Sequence, residues 1–149
     1  MVESLSEYSF SLVASKAGLE FLKNDGDGKI VLEAINELEI AINNNLPHAS
    51  ISLSTYILEG LIRIEAIKRG LWKDEYASKT YGDLVHINEL KDLFEPGELQ
   101  KIQAFNAFRI PAVHFKRVRT ILAEAQVGAE LISQLITRWF STIVSKSKS

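Results

Sequence analysis

Apolar residues recur every three to four positions along nearly the whole of this chain, and no segment alternates apolar and polar residues for long enough to argue a sheet. A stripe with that period lies on one face of a helix, and it leaves water only by packing against the stripe of another helix. The pattern therefore predicts an all-α domain. Its economical form is a bundle of four main helices with one or two short additional ones. With 149 residues, 46% of them hydrophobic, the chain can bury one core as a single domain spanning 1–149.

Punctuation along the chain places the elements. A first helix is expected over about 3–23, ending in the turn Asn24-Asp25-Gly26-Asp27-Gly28, and a second over 29–43, with Ile30, Val31, Ala34, Ile35, Leu38, Ala41 and Ile42 as its stripe. Asn43-Asn44-Asn45 and Pro47 stop the second helix, and a third is expected over 51–69, with Ser50 as a candidate cap and Gly70 as the left-handed residue that ends it. Residues 73–82 read as the longest loop, and 83–94 as a short helix. Pro96 suits the first turn of the next helix, because the N–H it lacks would have no partner there. Pro111 is expected to kink or interrupt that helix before it resumes to about Glu124, and 128–144 closes the bundle ahead of a frayed tail, 145–149.

Several classes of function find little support. No apolar run is long enough to span a bilayer, the first residues lack the basic flank and apolar block of a secretory signal, and there is no cysteine for a disulfide or a thiolate ligand. A soluble, cytoplasmic protein with no membrane partner is the expectation. The segment KNDGDGKIVLEA imitates a calcium loop, with Asp25 and Asp27 at two ligand positions, but Lys23 and Ala34 stand where its end carboxylates belong. Asp27 capping a helix at Lys29 explains the same residues. Glu33, Glu37 and Glu39 have no histidine at ligand spacing and read as a solvated face, and His48 and His86 have no sequence partner. No metal or cofactor is implied.

Charge is unevenly distributed. Residues 1–98 carry nine cationic and seventeen acidic side chains, a balance of −8, whereas residues 99–149 carry eight and two, a balance of +6. From Leu99 to Ala123 there is no acidic residue, yet Lys101, Arg109, Lys116, Arg117 and Arg119 all fall there. Such a cluster suits a polyanion such as RNA, with Lys101, Lys116, Arg117 and Arg119 as backbone contacts; it also fits a solvated face balanced by the acidic half.

Within that run stands FRIPAVHF, residues 108–115. On a straight helix Arg109 and His114 would point about 140° apart, so only a bend at Pro111 would bring both to one cleft. Together they could act on RNA without a metal. The histidine would carry a proton to or from a ribose oxygen, and the arginine would hold the charge that develops on phosphate. One histidine does not readily do both proton transfers, which favours a symmetric dimer offering a second copy.

The layout resembles the HEPN superfamily. A long helix closing in IEAIKRG, a short helix such as DLVHINELKDLF, and LQKIQAFNAFRIPAVHF before a closing helix carry the similarity over about 29–144. The resemblance implies a small helical bundle that pairs as a homodimer, with Arg109 and His114 at the positions of the arginine and histidine of metal-independent RNases from toxin and antiviral systems. The chain departs from that pattern at Ile110, where a polar residue is usual, at Pro111, and at Lys116, where one branch has a modifiable tyrosine. The alternative expectation is a non-catalytic helical subunit that binds nucleic acid or protein within a nucleoprotein assembly.

Overall fold

The computed structural model describes residues 10, 12–113 and 122–147, with the side chains of 110–113 and 141–147 excepted. Seven α-helices and one 3-10 turn follow in order, and no strand occurs among the described residues: α1 (Lys16–Lys23), α2 (Gly26–Asn43), α3 (Pro47–Lys68), the turn Asp74–Ser78, α4 (Tyr81–Leu84), α5 (Asn88–Lys91), α6 (Pro96–Val113) and α7 (Leu122–Ser147). The expected all-α bundle is what forms. Its four long helices are α2, α3, α6 and α7, and α3 packs against the other three.

Local chemistry explains where the helices start, and it moves several expected boundaries. The first begins at Lys16, because the Ser15 hydroxyl accepts the Gly18 N–H and caps it. Ahead of it, residues 12–15 are not helical and run as a strap, tied down by side chains of helices. The Asn43 amide bonds both the N–H and the carbonyl of Phe10, and Glu39 accepts the Leu12 N–H at 2.6 Å. Residues 3–9 of the expected first helix lie outside the described residues.

Asp25, not Asp27, caps α2, accepting the Gly28 N–H at 2.8 Å. Both aspartates precede a glycine, but only position 28 demands one: a Cβ there would stand 2.3 Å from the Leu22 carbonyl oxygen. That close approach folds α1 back onto α2. Asn45, at φ 56°, ends α2 in the left-handed conformation, its successor's N–H reaching the Ala41 carbonyl. Helix α3 starts earlier than expected, with Pro47 in its first turn. Ser50 is therefore interior, and Ser50, Ser54 and Thr55 each return a hydroxyl to the carbonyl four residues back. Gly70 ends α3 at φ 73°, as expected.

The expected loop 73–82 holds the 3-10 turn and the start of α4, and 83–94 is broken between α4 and α5. Helix α6 runs unbroken through Pro111, where the sequence predicts an interruption. Proline there forfeits only the one bond to Ala107. The closing helix is longer than expected at both ends, reaching Ser147 within the expected tail. Gly128 is inside it, where a Cβ would lie 2.8 Å from both the Phe105 ring and the Ser54 side chain. At that point α3, α6 and α7 meet, around a core that includes Leu58, Phe105, Ile132 and Trp139.

Candidate functional site

Helix α3 carries Tyr56, Glu59, Gly60 and Arg63 at the three- and four-residue steps that share a face. With Asp27 and Ile30 of α2 and the 72–84 segment, that face encloses a cleft of about 220 Å³. Gly60 sits at its base, where a Cβ would meet Val31 at 2.8 Å. The Arg63 guanidinium lies 5.1 Å above the Trp72 ring, and Trp72 meets Tyr76 edge to face at 5.5 Å. Asp27 holds Arg63 only at 3.3 Å in a solvated setting. Lys73 covers Tyr76 at 5.9 Å, while Lys79 is an exposed cation at the rim. The Trp72 indole N–H is buried and has no hydrogen-bond partner among the described residues.

Glu59 connects this cleft to the C-terminal part of α6. Burial pushes its carboxyl above the ordinary value of 4.5, against the Arg109 charge and a backbone hydrogen bond from Tyr81. Arg109 is half-buried, its Nε–H donating to Asn106 Oδ1 at 2.7 Å. Tyr81 is fully buried and donates its hydroxyl to the Ile102 carbonyl at 2.5 Å. Its own ionisation is pushed far up, by burial first and by the Glu59 charge second, with Arg109 opposing. The phenol thus stays a donor, and Glu59 is a carboxylate held partly out of water beside a permanent cation. Such a group can accept hydrogen bonds strongly or exchange a proton more readily than a solvated glutamate.

Of the residues singled out from sequence, Arg109 is half-buried and its charge acts on Glu59 of this cleft, and Lys101 is exposed earlier on α6. His114, Lys116, Arg117 and Arg119 lie outside the described residues. His48 and His86 are exposed, the latter with Nδ1 3.3 Å from Gln103 Nε2. Glu33 and Glu37 are exposed, and Glu39 is committed to the strap. No group of three potential metal ligands occurs among the described residues, and residues 26–29 of the calcium-like segment are helical. No helix among the described residues is long and apolar enough to cross a membrane.

Sequence reasoning missed Glu59, Arg63 and Trp72. A signal existed: Tyr56, Glu59 and Arg63 stand at helical spacing on one face of α3, just ahead of Trp72 and Tyr76. Comparison with protein-family models, curated proteins and solved structures finds no match to this chain.

Proposed function

We propose that this chain is a HEPN-like, RNA-binding helical protein that works as a homodimer and cleaves RNA without a metal. In this reading the dimer, rather than a bend at Pro111, brings the two groups to one phosphate: His114 of one protomer moves the proton of a ribose 2′-hydroxyl, Arg109 of the other stabilises the charged phosphate, and Lys101, Lys116, Arg117 and Arg119 hold the backbone. The observation that carries the reading is the position of Arg109. It is a half-buried cation whose charge acts on Glu59, which lines a cleft with aromatic and cationic walls, and it lies within the acid-free basic run 99–123. Aromatic faces beside cations are the ordinary equipment for single-stranded nucleic acid.

Incubation with single-stranded RNA in EDTA tests it. The wild type should cut, and His114→Ala should cut at least about a hundredfold more slowly. Equal cutting by both would expose a contaminant, and no cutting by either would remove the catalytic role.

A second reading, a non-catalytic binding subunit, draws on the same arginine. Its Nε–H is already committed to Asn106. Salt-sensitive RNA binding weakened by Lys116→Glu, with His114→Ala without effect, would favour that role.

A further inference from the structure

We propose that the cleft between α2, α3 and the 72–84 segment is a recognition pocket for a guanine base, presented by a nucleotide or by an unpaired guanine of RNA. For the second source it rests on the RNA-binding reading above.

Tyr56, 53% exposed, presents an aromatic face at the mouth of the cleft, with Trp72 and Tyr76 deeper in the wall. A planar heterocycle can stack on the exposed Tyr56 ring. Polar groups of the cleft then select among heterocycles. Glu59 lines it, and a carboxylate only accepts hydrogen bonds. Among RNA bases, guanine alone turns two adjacent N–H donors, N1–H and N2–H, along its pairing edge. Adenine and cytosine set a ring acceptor beside their amino group, which a carboxylate repels, and uracil flanks its single N–H with carbonyls. Donors complete the match: Arg63 and Lys79 can meet O6, N7 or a phosphate.

The charges already in place argue against a cationic ligand. Aromatic rings beside carboxylates could in principle cage an ammonium group. Here Arg63 lies over Trp72, Lys73 over Tyr76 and Lys79 at the rim, and three cations around the cleft repel an ammonium group that would enter it. Burial gives the polar contacts their weight, because a carboxylate drawn partly out of water gains more from a ligand's donors than an exposed one. Besides burial, Arg109 on α6 and the Tyr81 backbone N–H on α4 act on its charge, and Asp27, Arg63 and Lys79 are the other charged groups around the cleft. The ionised form is the one that binds, so affinity falls as pH drops through the titration of Glu59.

Calorimetric titration of the full chain with the four ribonucleoside monophosphates tests the pocket. Guanosine monophosphate should bind at least about tenfold more tightly than the other three, and Glu59→Gln should lose that preference while remaining folded, melting no lower than the wild type at neutral pH. Lys79→Glu, a change at an exposed position, should weaken the same nucleotide without affecting folding. Equal affinity for all four, no binding, or undiminished preference in Glu59→Gln overturns the proposal. A short oligoadenylate with one central guanine, set against the all-adenine strand, separates the sources. Tighter binding of the guanine strand, lost in Glu59→Gln, supports both this proposal and the RNA reading. Tight binding of the mononucleotide with no difference between the strands supports the pocket for the free nucleotide and removes RNA as the source of its guanine.

Discussion

At each end of α6 a buried or half-buried carboxylate feels the charge of an arginine, with opposite degrees of closure. At the start, Glu98 is 4% exposed and forms a bidentate pair with Arg138 of α7, whose Nε–H donates at 2.9 Å. Gln134 adds a donor at 3.2 Å, and Arg138 and the Trp139 indole N–H both bond the Leu93 carbonyl. Each polar group of that knot has a protein partner. Near the other end, Arg109 is held by Asn106, and Glu59 faces a cleft with its carboxyl raised. A completed network fixes two helices together, whereas an incomplete one leaves bonding capacity for something that arrives. The same pair of residue types is thus a fastener at one end and a candidate recognition group at the other.

Substitutions can break that contrast, and the largest effect belongs to the closed end. Arg138→Ala strands a buried carboxylate and should lower stability by about 3 kcal/mol or more in urea unfolding. Pairing it with Glu98→Gln should recover much of the loss, because the unpaired charge is what costs. Tyr81→Phe, beside the open end, removes one hydrogen bond to the Ile102 carbonyl and should cost about 1 kcal/mol. The smallest change is expected from Glu59→Gln, and its sign depends on pH. A carboxyl raised above its unfolded value binds more protons in the folded state, so wild-type stability falls relative to the variant as pH rises from about 4.5 through the raised value. Melting both proteins across that window checks it. A Glu59→Gln loss as large as that of Arg138→Ala would mean the two ends are built alike.

Most of the fold was legible, because helical spacing, Gly70, Pro96 and the asparagine run speak through local geometry. The errors came where one residue type serves two purposes. Ser50 looks like a cap but bonds backwards within α3, and Asp25 and Asp27 offer the same cap to the same helix. Pro111 looks like a break, yet a helix held by its neighbours tolerates one missing bond. Of the candidate site, Arg109 was visible through its charge context. Its surroundings were not: Glu59 and Tyr81 come from other elements, and a lone glutamate on a helix reads as solvated until the packing is known.

The strap ahead of α1 carries a consequence for the order of assembly. Its backbone groups find their partners on Asn43, 33 residues later, and through Ser15 on Thr137, 122 residues later. A ribosome releases the strap before any of these exist, and closing so long a loop brings no reward until the helices at its far end have formed. The earliest of these residues to be synthesised are therefore among the last to settle.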